Sequence, residues 1–161
     1  MQAEYFTIAR VIHILAVVLW IGGVGMVTTV IIPAVKRMRS KEDRIESFEK
    51  IEGRFALQAK ITTLLTGLSG FYMLYALDGW GRYQDAKYWW LHAMTIIWFL
   101  FTVVLFILEP LVLHKLFKEQ ASKNSEKTFE IMHKAHWILF TLSMITIAAS
   151  VAGSHGLFII E

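Results

Sequence analysis

The sequence predicts an all-α integral membrane protein, one four-helix bundle with both termini on the outer (periplasmic) side. Three observations predict it. Of the 161 residues, 56% are hydrophobic, against about 45–50% in ordinary soluble domains. The apolar residues gather in four runs, roughly 5–35, 55–77, 88–113 and 136–160, each long enough to be read against the ~20 residues that span a bilayer. Lys and Arg are distributed unevenly: of 16, eight fall between Lys36 and Lys60, five between Lys115 and Lys134, and only Arg10, Arg82 and Lys87 elsewhere. The positive-inside rule puts both long connections in the cytoplasm. The net charge of +3 then reflects topology and points to no nucleic acid. With most of the chain in lipid, residues 1–161 form a single domain.

The elements follow in order. MQAEYFTIAR has no basic lead and no small-residue cleavage site, so the first helix is expected to stay in the mature protein. That helix ends near Pro33 and carries Gly22, Gly23 and Gly25, which let helices approach closely or make room for a flat ligand. SKEDRIESFEKIEGRFALQAK is charged and periodic, a cytoplasmic helical extension leading into the second helix. Lys60 lies about two turns inside that helix, where a lysine snorkels. TGLSG, with Gly67 and Gly70, is a second close-approach site. The third helix starts at YWWLH, beside an interfacial aromatic belt of Trp80, Tyr83, Tyr88, Trp89 and Trp90. It ends at FILEPLVLH, where Glu109 falls within the inner third of the span. A carboxylate there needs a partner, and Lys60 or Arg54 is the natural one. The fourth helix opens with IMHKAHW, whose His133 and His136 share a face at i, i+3, and closes with SVAGSHG.

No cysteine occurs. That excludes disulfides, iron–sulfur ligation and covalent c-type haem. The six histidines sort by depth instead. His13, His92 and His155 fall toward the outer side, and His114, His133 and His136 toward the cytoplasm. His13 and His92 lie inside apolar runs on different helices at similar depth. An imidazole in lipid needs a hydrogen bond or a metal, so haem, copper or another metal, and simple hydrogen bonding all stand open. A bis-histidine haem requires two imidazoles facing across a gap between helices, which bundles provide. His155 competes with His92 for the second place. A second, inner haem on His136 and His114 is the lesser alternative, because His92 and His114 are 22 residues apart, ~33 Å along a helix.

IHILAVVLWIGGVG, with His13, Trp20 seven residues later and then Gly22–Gly23, resembles the first helix of two groups of four-helix membrane modules. These are the haem-b-containing HemJ-type membrane protoporphyrinogen oxidases and the CopD-like copper-resistance membrane domains. RFALQAKITTLLTG resembles the Arg-Phe…Thr-Gly opening of the second helix in the CopD group. YWWLHAM resembles the Trp-Leu-His start of the third helix in the HemJ group. The resemblance implies His13 as an axial haem ligand, Trp20 beside it, and Arg54 as a functional residue. Both groups carry a lysine two residues beyond the position of His92, where this chain has Met94.

The expected function is that of a bacterial inner-membrane, multi-pass b-type haem protein exchanging electrons with a quinol or small oxidant. His13 and His92 are its expected iron ligands, and Arg10, Arg82 or Lys87 the cations for the haem propionates. Lys60, Glu109 and His136 form a candidate proton path. The alternatives are HemJ-like oxidation of a porphyrin-like substrate and CopD-like copper handling by His13, His92 and Met94. A structural role as a homo-oligomer or as a subunit of a larger membrane complex is the non-redox alternative.

Overall fold

A computed structural model describes residues 2–157, and all the regular structure among them is helical. The expected end of the fourth run, 158–160, lies outside the described residues. Four long rods follow one another: α1 (Gln2–Lys36), α2 (Lys41–Ala76), α3 (Ala86–Lys123) and α4 (Ser125–Ser154). By length and composition, α1, α3 and α4 are able to cross a membrane. The first half of α2 is the charged extension, and its buried face carries Thr62, Thr63, Thr66 and Ser69. Most of these hydroxyls turn back onto their own helix, Thr62 donating to the Gln58 carbonyl at 2.9 Å and Thr66 to the Thr62 carbonyl at 2.8 Å. Such back-bonding lets a polar stripe pack against apolar neighbours without leaving donors bare.

Local signals set the helix ends. Ser40 caps α2 by accepting from the Asp43 N–H at 3.2 Å, with Glu42 and Asp43 in the first turn at the positive end of the helix dipole. Asn124 caps α4 by accepting from the Lys127 N–H at 3.0 Å. After α2 the chain turns through Asp78, whose φ of 48° is left-handed, into a 3-10 turn at Gly79–Gln84. Aspartate tolerates that backbone better than most side chains.

The rods pack side by side, α1 most extensively on α2. One core joins Trp20, Ile21 and Val24 to Ala59 and Phe101. A second joins Val27, Ile32 and Val35 to Phe48 and Phe129, where Phe48, Phe117 and Phe129 lie 5.2–5.5 Å apart, centroid to centroid. The charged extension is therefore anchored by Phe48. Glycines receive rings from neighbouring helices: Phe55 sits on Gly23, Phe140 on Gly25, Trp98 on Gly67 and Trp90 on Gly153. Gly22 differs, because a methyl added there would meet nothing within 4 Å.

Two helices widen into π turns, α1 over Val27–Ile31 and α3 over Val104–Leu113. Each is associated with a proline, Pro33 just beyond the first and Pro110 inside the second. In α1 the consequence can be traced atom by atom. The Ile32 N–H donates to the Val27 carbonyl, and Pro33 has no N–H, so the Thr28 carbonyl loses both helical donors. His133 of α4 supplies the replacement, its Nε2 lying 2.9 Å from that oxygen. Trp137 Nε1 lies 3.1 Å from the same nitrogen, which cannot donate and accept at once. Thr28 is fully buried and Trp137 is exposed, so the proton belongs on Nε2, toward the carbonyl.

Candidate functional site

His13 stands on the inward stripe of α1 with Ala9, Ala16, Trp20, Val24 and Val27, all of them buried. These spacings of three and four follow the helical repeat. Its ring lies over Gly70 of α2, where an added methyl would come within 3.2 Å of Cε1. Nδ1 is 2.9 Å from the Thr66 carbonyl and 3.1 Å from Ser69 Oγ. A carbonyl only accepts, so Nδ1 carries the proton and Nε2 is left with a free lone pair. No partner for Nε2 occurs among the described residues. Seven residues on, Trp20 is buried with its ring edge-on to Phe101 at 4.9 Å. Its Nε1 is buried without a hydrogen-bond partner, as is the hydroxyl of Thr63.

The other expected ligands take different places. His92 is exposed, with its ring edge-on to Tyr83 at 5.1 Å. No hydrogen bond or ring contact joins it to His13 among the described residues. The cause is helical phase: nine residues separate His92 from the buried Phe101, two and a half turns, so it points the opposite way. Met94 lies four residues from Trp98 and seven from Phe101, on their face, and is half-buried. Trp98 packs on Gly67 and donates to the Thr63 carbonyl at 2.8 Å. His155 is exposed at the end of α4, its Nδ1 2.8 Å from the Val151 carbonyl.

The expected propionate cations are engaged locally. Arg10 is exposed and lies over the Phe6 ring at 4.8 Å. Arg82 lies over Tyr88 at 5.4 Å, and Lys87 pairs with Asp85 at 2.7 Å. Arg54 is exposed between α1 and α2, away from His13. No group of three or more His, Asp or Glu side chains able to hold a metal occurs among the described residues.

Lys60 and Glu109 meet as their depth requires, at 2.7 Å, with side chains 29% and 20% exposed. The carboxylate is carried by the wide turn of α3 beside Pro110. His136 does not join them; its Nδ1 bonds the Met132 carbonyl of its own helix at 2.9 Å. Instead, Glu52 extends the cluster along α2 toward its charged first half. Burial, followed by the nearby Glu109 carboxylate, pushes the Glu52 carboxyl above its ordinary range, while His114 and Lys60 act against this. Beyond it stand Glu49 and Lys118, 3.9 Å apart, close enough for attraction but too far for a hydrogen bond. The spacing of Glu49, Glu52 and Lys60 on one helical face was the signal in the sequence for this ladder, and sequence reasoning missed Glu52.

No family model, no curated protein and no solved structure matches the chain.

Proposed function

We propose that this chain is a multi-pass b-type haem protein of the bacterial inner membrane. It would be a four-span bundle with both termini outside, exchanging electrons with a quinol or a small oxidant. The observation that carries the reading is the His13 imidazole. It is inward-facing, and its tautomer is fixed by the Thr66 carbonyl so that Nε2 is presented with a free lone pair. Histidines that bind metals generally donate their other ring N–H to a carbonyl or carboxylate, which raises ligand basicity and holds the ring still. The orphaned Trp20 Nε1 and Thr63 hydroxyl add a demand for polar partners inside the same bundle. His13 would hold the iron through Nε2, and Met94, on the Trp98–Phe101 face of α3, would be the second ligand in preference to the exposed His92. Arg10 and Arg82 would be the cations for the haem propionates on the outer side. Bound haem supplies a one-electron couple, whose potential a methionine ligand raises. On the cytoplasmic side, the Lys60–Glu109 pair and Glu52 would hold and pass protons along the α2–α3 seam. The resemblance to the HemJ-type and CopD-like modules supports the same assignment of His13.

The test is the visible spectrum of protein purified from cells supplied with haem precursor. A Soret band with a sharp reduced α band is expected, lost in His13→Ala. Met94→Leu should keep the haem but become high-spin and bind carbon monoxide, while His92→Ala should leave the spectrum unchanged. A protein without a Soret band overturns the reading. Because the chain has no cysteine, single introduced cysteines report topology directly. Gly81→Cys should react with an impermeant maleimide on intact spheroplasts, and Ser122→Cys only after permeabilisation.

A further inference from the structure

An open groove of about 800 Å³ runs between α1 and the first half of α2, far from His13. Its walls are apolar, formed by Val18, Leu19 and Met26 on one side and Ile51 and Phe55 on the other. Gly22 forms its floor. The neighbouring glycines Gly23 and Gly25 are each filled by a ring, but a methyl added at Gly22 would meet no atom within 4 Å. Close helix packing therefore does not account for the glycine at 22; open space does. At the membrane-facing end, the Gln58 amide reaches the Leu19 carbonyl at 3.4 Å and closes the groove. Lys50 stands at the other end, and Arg54 lies between, one turn from both Lys50 and Gln58. Lys50 is paired with Glu46 at 2.6 Å, whereas Arg54 has no acidic partner among the described residues. An unpaired cation on the wall of an apolar slot, placed where α2 changes from charged to apolar sequence, matches an amphiphile with an anionic head.

We propose that this groove is a binding site for an anionic phospholipid of the inner leaflet. The phosphate lies on Arg54, with Lys50 adding positive charge, and one acyl chain lies over Gly22 against Val18 and Leu19. The guanidinium suits the head because it presents a planar fork of donors to phosphate oxygens. The site is independent of the haem reading and stands or falls apart from it.

Lipid retention measured by native mass spectrometry tests it, after extraction of the full-length chain from nanodiscs of equal phosphatidylglycerol and phosphatidylcholine. The unmodified protein should retain phosphatidylglycerol preferentially. Arg54→Gln should reduce that preference about five-fold, the worth of one cation near an anionic surface. Arg39→Gln removes the same charge outside the groove and should leave the preference unchanged. Gly22→Leu, whose Cβ meets no neighbour, puts a larger side chain on the floor and should lower the retention of both lipids while the chain stays folded and monodisperse. Equal retention in Gly22→Leu and the parent overturns the proposal, as does an equal effect of Arg39→Gln and Arg54→Gln. If Gly22→Leu instead converts a dimer to a monomer without loss of lipid, the groove receives a second copy of this chain and the proposal is wrong.

Discussion

Replacing Gly67 with alanine tests the packing of α3 on α2 most sharply. A methyl at this position would lie 2.5 Å from Trp98 Cε2 and Cζ2 and 2.6 Å from Nε1. The indole cannot simply swing away, because its N–H donates to the Thr63 carbonyl. Overpacking of this kind costs about 1–3 kcal/mol. If the ring moves, a donor and an acceptor lose each other inside the bundle, adding about 1–3 kcal/mol. Alanine returns about 1 kcal/mol of helix propensity. The balance is a loss of about 3 kcal/mol, or roughly 6–12 °C in midpoint for a chain of this size. Gly22→Ala is the matched control: it meets no neighbour and should be neutral or stabilising by up to about 1 kcal/mol. Thermal unfolding in mild detergent, followed by near-ultraviolet circular dichroism, compares the two. Equal midpoints for Gly67→Ala and Gly22→Ala would refute the socket-and-ring account of this interface.

Three further outcomes are expected. Lys60→Met should destabilise by about 2 kcal/mol, below the usual range for a broken buried pair because both side chains keep some solvent, and adding Glu109→Gln should recover part of the loss; equilibrium unfolding of both variants checks this, and a double variant worse than the single contradicts it. Glu52 has a carboxyl raised by burial, so the folded state holds its proton to higher pH than the unfolded chain. Its contribution is least unfavourable below the unfolded value of about 4.3 and worsens as pH rises through the folded value. Glu52→Gln should therefore be more stable than the parent at pH 7–8, with the advantage shrinking toward pH 4. Finally, His133→Ala should cost about 1 kcal/mol or more in the parent, and much less when Pro33→Ala has restored a helical donor for the Thr28 carbonyl. Additive effects in that double-mutant cycle would mean that His133 and Thr28 are not coupled.

Depth along the chain was legible in the sequence, whereas direction around each helix was only partly used. The first apolar run, 5–35, lies within α1, Gln2–Lys36, and the need of Glu109 for a cation led to Lys60 or Arg54, of which Lys60 makes the pair. The extension before the second run is continuous with α2, as its periodicity suggested. His13 and Trp20 share a face because seven residues are nearly two turns. The same arithmetic turns His92 away from Phe101 and brings Met94 toward it, information present in the sequence but obscured by sorting histidines on depth alone. Other features needed the partner helices. Nothing in IGGVG distinguishes an empty Gly22 from a filled Gly23, since the difference is made by Phe55, thirty-two residues on. The pairing of His133 with Thr28 depends on a proline of one helix and the phase of another.

The hydroxyl-lined α2 has a consequence for biogenesis. Among the described residues, α1, α3 and α4 are long and apolar enough to cross a membrane, and α2 departs from them through Lys60 and its stripe of threonine and serine. Its widest contact is with α1, the segment synthesised just before it. In a four-span arrangement, α1 would have to wait beside the insertion channel, and the two would enter the bilayer as a hairpin. Their interface is then the first tertiary structure the nascent chain acquires. The hydrogen bond from His13 to Thr66 would form in that step, before α3 and α4 have left the ribosome.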